Sequence, residues 1–264
     1  MGAIVLTTVS GEAIPSAASF AWAAAAGASG VGGLAFFYYA LSRGTMGVVA
    51  PLAALIGAGL PVLLAVVGGE AVPPARAIGI AVALVAVVLI SLPGGERGAG
   101  EKRNLRADLR ELPLVALAGL GFAGFFIFAD RATTAGETWW PLIMVRVVGL
   151  AVVLAILAGA ALRVSGQPMR VRLDGLLGLT RIRSAPVGPL YLGALFAVVG
   201  LGDLAGNAFF LLAKQADAFS VAVVLSSLYP IVTTILAAIV LHERLRPLQV
   251  VGVVLATVRV PLLR

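Results

Sequence analysis

The chain has 264 residues, of which 61% are hydrophobic and only 12% are charged, and its mean hydropathy is +1.08. A water-soluble domain carries about 45–50% apolar and about 25% charged residues, so this composition excludes a soluble protein and indicates a membrane protein. The lack of cysteine and the single histidine exclude disulfides, cysteine ligands and histidine-rich metal sites, and we expect no metal or other cofactor. The net charge of +7 is ordinary where cationic residues fix membrane orientation, so we expect no nucleic-acid partner.

Uninterrupted apolar runs predict eight membrane-spanning helices, and therefore an all-α polytopic helix bundle. In chain order the runs are 17–41, 46–67, 77–92, 112–129, 139–161, 186–213, 219–241 and 247–262. The first and sixth runs are rich in alanine and glycine, so we expect both helices to pack closely against their neighbours. The charged segment 93–111 predicts a solvated linker loop between two halves of the protein.

An internal repeat at an offset of 173 residues is the strongest pattern in the sequence. The offset superposes residues of helices and loops alike, placing Ala35-Phe36-Phe37 on Ala208-Phe209-Phe210, Glu70 on Glu243 and Pro74 on Pro247. It divides the chain into a first repeat at 1–92 with three helices and a second repeat at 112–264 with five. Counterparts of the fourth and fifth helices would lie before Met1, so we expect a five-plus-five plan whose first two helices are missing. Five helices per repeat insert the halves in opposite directions, which is the inverted repeat of many secondary transporters.

Short blocks in the second repeat carry a family resemblance. They are Phe209-Phe210 to Ala213, Ser227-Leu228-Tyr229-Pro230, Glu243-Arg244-Leu245, Pro247-Leu248-Gln249 and Gly252, together with Arg146 after Trp139-Trp140-Pro141. These blocks resemble the drug/metabolite transporter superfamily, in particular its ten-helix EamA-type members. The resemblance covers the chain from residue 17 onward. The chain departs from the family pattern by lacking the first two helices and by having Arg259 in its last helix.

The resemblance implies a secondary transporter or exporter of small organic metabolites or drugs in the cytoplasmic membrane. It also implies that transport proceeds by alternating access of two inverted halves. The alternative is a truncated membrane protein that does not transport, or an assembly partner. A membrane-integral enzyme is disfavoured because the spans hold no paired nucleophile and base and no metal ligands. The lipid bilayer and a small-molecule substrate are the expected partners, and proton coupling and a homodimer are both open.

Two ionisable residues inside the spans are the first site candidates, because a charge at the centre of a bilayer helix costs about 2.5–3.5 kcal/mol on insertion scales. They are Asp203, which has Asn207 one turn later on the same face, and Arg146. In one interpretation Asp203 and Arg146 pair and only hold the bundle together. In the other, Asp203 faces a cavity and accepts a proton or a cationic group.

Tyr229 and Pro230 interrupt the seventh run and are further cavity candidates, together with Ser226. A proline in mid-span frees a backbone carbonyl that can face a substrate or let the helix bend. The competing interpretations are a packed kink and, for the serine, a hydrogen bond to the preceding turn. We expect the aromatic pairs Phe36-Phe37, Tyr38-Tyr39 and Phe209-Phe210 to belong to the core or the membrane interface rather than to a substrate site.

Three other patterns predict packing and topology. Gly119-Leu-Gly121-Phe-Ala-Gly124 fits a dinucleotide-binding pattern by letter, but its apolar helical context predicts helix packing instead. Glu70 and Glu243 are expected to cap helices and anchor loops. The loops after the odd-numbered spans hold 13 of the 19 lysines and arginines, which would make their side cytoplasmic. The family resemblance implies the reverse orientation, and both stay open.

Overall fold

The computed structural model describes residues 7, 11–43, 46–91, 105–133, 137–163, 188–216, 219–227 and 247–259. Within these residues the chain forms eight α-helices, which we number in chain order as α1 Ala17–Arg43, α2 Met46–Val67, α3 Pro74–Ser91, α4 Leu105–Ala132, α5 Trp139–Arg163, α6 Pro189–Ala216, α7 Phe219–Ser226 and α8 Pro247–Arg259. Five of them, α1, α2, α4, α5 and α6, are long and apolar enough to cross a membrane, and α3 is a shorter apolar helix. The predicted all-helical, polytopic fold is confirmed.

Local sequence accounts for where several helices begin and end. Proline occupies the first position of α3, α6 and α8, where its missing N–H leaves no helical hydrogen bond unmade. Ser16 caps α1, because its Oγ accepts a hydrogen bond from the Ser19 backbone N–H at 3.1 Å. Gly69 has a φ of 98° and ends α2, since few other residues adopt that conformation without strain.

The start of α4 corrects one prediction. The helix begins at Leu105, inside the segment 93–111 that was predicted to be a solvated linker loop. For residues 105–111 the loop prediction was wrong, because charged side chains are compatible with a helix that extends past the apolar run. Residues 93–104 lie outside the described residues.

Small residues bring α1 and α4 into direct backbone contact. A Cβ on Gly33 would lie 2.9 Å from the Gly121 carbonyl carbon, and the Ser29 Oγ donates a hydrogen bond to the Gly121 carbonyl oxygen at 3.0 Å. On the neighbouring face of α4, a Cβ on Gly119 would lie 2.6 Å from the Ile56 Cβ of α2. The prediction that the Gly119–Gly124 pattern serves helix packing is confirmed.

Close packing was predicted for both glycine-rich helices, and it holds for α1 only. On α1, a Cβ on Gly27 would approach the Val145 carbonyl oxygen of α5 to 2.5 Å. On α6 the prediction was wrong, because a Cβ on Gly193, Gly200, Gly202 or Gly206 would meet no described atom within 4 Å. Nearly every residue of α6 from Tyr191 to Gly206 is exposed to the surroundings of the bundle.

Polar contacts identify the helix ends that lie together. We call end A the end of the bundle at which α1 begins. Glu12, just before α1, accepts hydrogen bonds from the start of α5. Thr138, the residue before α5, accepts one from Gln215 at the end of α6. Glu70, just after α2, accepts hydrogen bonds from Ser220 at the start of α7. Helix α1 therefore runs away from end A and α6 runs towards it, whereas α2 runs towards end A and α7 runs away from it.

The helix boundaries follow the offset found in the sequence. Adding 173 to residues 43, 46 and 74 gives 216, 219 and 247, which are the last residue of α6 and the first residues of α7 and α8. The repeat mates of α1 and α2 are thus α6 and α7, and each pair is antiparallel across end A. This antiparallel arrangement is the one that an inverted repeat requires.

Candidate functional site

A cavity of about 740 Å³ lies within the bundle, bounded by α1, α2, α4, α6 and α7. Gly30, Ala54, Phe122 and Asp203 line it and lie near the middle of their helices. Its volume is in the range of about 300–1,000 Å³ that is typical of small-molecule sites. The cavity is therefore large enough for an organic solute and lies near the middle of the helices that line it.

Repeat mates occupy equivalent positions on the cavity wall. Four pairs separated by 173 residues both line it, namely Gly30 and Asp203, Leu34 and Asn207, Phe37 and Phe210, and Ala54 and Ser227. In three of the four pairs, the member from the first repeat is apolar and the member from the second is polar. The two repeats thus build one cavity from matching positions, but the second repeat supplies most of its polar groups.

Asp203 is paired with Arg146, so the structure brings together the two ionisable residues singled out in the sequence. The Arg146 Nη1 group forms an ion pair with the Asp203 Oδ2 atom, and the Arg146 Nη2 group donates to the Asp203 backbone carbonyl at 3.1 Å. Asp203 also lines the cavity, whereas Arg146 does not. The carboxylate is thus paired on one side and lines the cavity on the other, while its role as a proton or cation acceptor is still a prediction.

The second carboxylate oxygen of Asp203 is only weakly engaged by its neighbours. The nearest described donor is the Asn207 Nδ2 group at 3.5 Å, at the limit of a hydrogen bond. The Asp203 side chain keeps 59% of its surface exposed, against 37% for Arg146. Asp203 thus offers hydrogen-bond acceptor capacity towards the cavity.

The serines at the end of α7 differ in their contacts. Ser226 lines the cavity, as predicted. Ser227 also reaches the cavity wall, but its Oγ donates to the Val223 carbonyl at 2.7 Å, which is the hydrogen bond to the preceding turn that the sequence left as an alternative. Tyr229 and Pro230 lie outside the described residues, so their roles stay predictions.

Aromatic side chains form most of the remaining wall. Phe37, Tyr38, Phe209 and Phe210 all line the cavity. As expected, Phe210 belongs to the buried core, being 3% exposed, and Phe37 packs against a buried cluster. That these rings stay outside a substrate site is still a prediction. Sequence analysis missed three more wall residues on α4, namely Phe122, Phe125 and Phe126. The rings contact one another across helices, with the Phe126 and Phe210 centroids 5.0 Å apart at an interplanar angle of 66°.

The α4 phenylalanines carried a signal that could have identified them. They recur at spacings of three and four residues on a helix whose glycines lie against α1 and α2. A glycine face that brings helices together leaves the large side chains beside it directed into the space between those helices. Their spacing alone could not separate a cavity wall from a filled core, because both use the same pattern.

A polar layer lies between the cavity and end A. Lys214 of α6 forms an ion pair with Asp130 of α4 at 3.1 Å, and its Nζ donates to the Thr133 Oγ1 atom at 3.3 Å. Gln215 donates to the Thr138 Oγ1 atom at 2.9 Å. Because Ala213 lines the cavity, this layer begins one residue beyond the cavity wall. This layer could not be predicted from the sequence, because the partners are about eighty residues apart.

Two glutamates anchor helix starts at end A. Glu12 accepts hydrogen bonds from the backbone N–H groups of Thr138, Trp139 and Trp140, including a 2.9 Å bond from Trp139 to its Oε2 atom. Glu70 accepts bonds from the Ser220 N–H at 3.3 Å and from the Ser220 hydroxyl. The capping and loop-anchoring prediction is confirmed for Glu70, whereas Glu243 lies outside the described residues. Glu12 was not predicted.

Comparisons with known proteins agree with this architecture. Residues 109–263 match the EamA-like transporter family. A solved structure known only as a crystal structure of a protein aligns with 98% of this chain and 91% of its own, with a TM-score of 0.57 and 18% sequence identity. At that identity the likeness establishes a shared fold and nothing about substrates. No curated protein matches the sequence.

Proposed function

Because the chain belongs to the EamA-like transporter family, we propose that it is a secondary carrier that moves small organic metabolites or drugs across the cytoplasmic membrane. The single observation that carries the proposal is the cavity of about 740 Å³ near the middle of the helices that line it, built from equivalent positions of two repeats. Sites of this kind lie at the repeat interface in carriers that rock one half against the other.

The geometry also supports alternating access as the mechanism. The Lys214–Asp130 pair and the Gln215–Thr138 hydrogen bond lie between the cavity and end A. Both contacts join α6 of the second repeat to α4 or to the residues before α5, and their partners are polar groups that water can also satisfy. In the proposed cycle these contacts break when the cavity opens at end A and form again when it closes.

A cavity-filling substitution tests the proposal. Ala54→Phe places a large ring in the cavity, and we expect it to abolish uptake of substrate into vesicles that contain the purified full chain. Leu55→Phe is the matched control, because Leu55 is the next residue on α2, is 41% exposed and does not line the cavity.

The readout is uptake of a panel of radiolabelled aromatic and aliphatic metabolites, measured against protein-free vesicles. We expect at least one solute to be taken up by the unmodified chain and by Leu55→Phe but not by Ala54→Phe. The cavity is not a transport site if no solute of the panel enters vesicles containing the unmodified chain faster than it enters protein-free vesicles. The same conclusion follows if the two variants take up solute at equal rates.

A further inference from the structure

We propose that the solute accepted by the cavity is a singly charged organic cation with an apolar or aromatic body, whose positive group binds Asp203 in competition with Arg146. This inference rests on the proposed function, because it names the substrate class of the same cavity. It is carried by the distribution of charge and aromatic surface on the described wall.

The charge on the wall has one sign. Among the described residues that line the cavity, Asp203 is the only one with a formal charge, and no lysine or arginine is present. An organic anion would leave its hydration shell and find no counter-charge on this wall, at a large desolvation cost. A cation finds a carboxylate whose side chain is 59% exposed, with which it forms a charge-assisted hydrogen bond or an ion pair.

The position of Arg146 decides between a cation and a zwitterion. A zwitterion needs a positive group on the wall for its own negative end. Arg146 reaches Asp203 from α5 and is not among the residues that line the cavity. A solute in the cavity therefore contacts Asp203, the negative member of the ion pair.

The aromatic wall suits the body of such a cation. Six phenylalanines line the cavity, namely Phe37, Phe122, Phe125, Phe126, Phe209 and Phe210. A cationic group within about 6 Å of a ring centroid gains roughly 0.5–2 kcal/mol from the ring quadrupole, and the rest of the solute gains from apolar burial.

The asymmetry between repeat mates orients the solute. Asp203 and Asn207 belong to α6, whereas their mates Gly30 and Leu34 belong to α1. The positive group therefore lies against α6, and the apolar body lies towards α1 and the phenylalanines of α4. A fully neutral solute would use the rings but would have no need of Asp203.

Arg146 then acts as the resident counter-ion of the empty site. In the empty cavity its Nη1 group satisfies the Asp203 carboxylate, which would otherwise be an unpaired charge inside the membrane. When the solute cation arrives, two positive groups share one carboxylate and repel each other. Removing the guanidinium should therefore tighten binding of a cation, which is the opposite of what a zwitterion or an anion would show.

The test uses equilibrium binding of radiolabelled benzyltrimethylammonium, a permanent cation with one ring, to the purified full chain. Phenylacetate, phenylalanine and benzyl alcohol serve as the anionic, zwitterionic and neutral competitors. We expect displacement by excess unlabelled cation and little displacement by the other three. Asp203→Asn should raise the Kd at least about tenfold, because the trimethylammonium group has no N–H and depends on its charge attraction to the carboxylate. Arg146→Gln should lower the Kd several-fold.

Two variants serve as controls. Arg43→Gln removes a charge at the end of α1, outside the cavity wall, and should leave the Kd unchanged. If Asp203→Asn is too unstable to purify because Arg146 is left unpaired, the double variant Asp203→Asn with Arg146→Gln removes both charges and should also bind the cation poorly.

The outcomes separate this inference from the proposed function. If the cation does not bind, or if Arg146→Gln weakens its binding, the inference is overturned. In that case uptake of phenylalanine or phenylacetate that Ala54→Phe blocks would still support a carrier. If the cation binds with the expected dependence on Asp203 but no solute of the panel is taken up by vesicles, the cation site stands and the carrier proposal fails.

Discussion

The contact between Gly33 and Gly121 fixes the distance between α1 and α4, and with it the width of the cavity that both helices line. A Cβ on Gly121 would overlap the backbone of Gly33, which is part of a helix and cannot rotate away. Nearby, the Gly124 Cβ position meets the Ser29 side chain, so the glycine face of α4 follows α1 over almost one turn. A side chain at Gly121 therefore has to push the two helices apart.

We predict that Gly121→Ala lowers the melting temperature of the purified protein, with a cost of about 1–3 kcal/mol for overpacking. Alanine is the better helix former by about 1 kcal/mol, so the sign of the effect reports the helix contact alone. Gly32→Ala on α1 is the matched control, because a Cβ there meets no described atom within 4 Å, and it should be neutral or stabilising. Equal melting temperatures for the two variants would show that α1 and α4 are not in backbone contact.

Sequence alone could predict that Asp203 and Arg146 matter, because charges inside apolar runs are costly and few. It could not predict that one member of the pair lines the cavity and the other does not. That distinction depends on how α5 and α6 are rotated about their axes, and an almost wholly apolar helix gives no polar face from which to read its rotation. The same limit explains why Phe122, Phe125 and Phe126 were missed.

The start of α5 depends on a residue from another segment. The first N–H groups of a helix lack partners within the helix, and a carboxylate there also interacts favourably with the helix dipole. Glu12 supplies this group across more than 120 residues of sequence, and the Trp140 Nε1 group donates to the Glu12 backbone carbonyl at 3.3 Å. Glu12 thereby holds the segment before α1 against α5.

We predict that Glu12→Ala destabilises the protein by about 1–2 kcal/mol, the usual cost of losing a helix cap. Glu12→Gln keeps one acceptor oxygen and loses the charge, so its melting temperature should lie between those of Glu12→Ala and the unmodified chain. A Glu12→Gln variant that melts as early as Glu12→Ala would mean that the charge, rather than the hydrogen bonds, provides the whole effect. No loss of stability in either variant would contradict the capping role.

The apolar runs of the sequence predicted every described helix, because the thickness of the bilayer sets the length of a hydrophobic run. Helix neighbours were less accessible. Glycine content predicted the close packing of α1 correctly and that of α6 wrongly, because glycine permits close approach without supplying a partner. The charged residues just before Leu112 were predicted to form a loop, but charge excludes a residue from the lipid core and not from a helix.

The arrangement of the whole molecule follows from the repeat. Repeat mates Ser42 and Gln215 lie near the ends of α1 and α6, and the polar contacts of end A place Gln215 there while Ser42 is at the far end. The sequence predicts an odd number of helices per repeat, and this also requires the two repeats to insert in opposite directions. The two residues should therefore lie on opposite sides of the membrane.

We predict that single cysteines at these mates react with a membrane-impermeant thiol reagent from opposite sides. The chain has no native cysteine, so Ser42→Cys and Gln215→Cys each carry the only thiol in the protein. The experiment also decides which side is cytoplasmic, where the charge distribution and the family resemblance disagree. Labelling of both cysteines from the same side would contradict the inverted repeat.

The central claim is that the cavity opens alternately to the two sides of the membrane, and a cysteine on its wall tests this most directly. Ala54→Cys lines the cavity and Leu55→Cys, one residue later, does not. The measurement is the rate of alkylation by an impermeant reagent added on one side or the other, in vesicles whose uniform protein orientation is verified with Ser42→Cys. If the cavity opens alternately, Ala54→Cys is alkylated from either side of the membrane and Leu55→Cys from neither. If Ala54→Cys is alkylated from one side only, however long the exposure to the reagent, alternating access is contradicted.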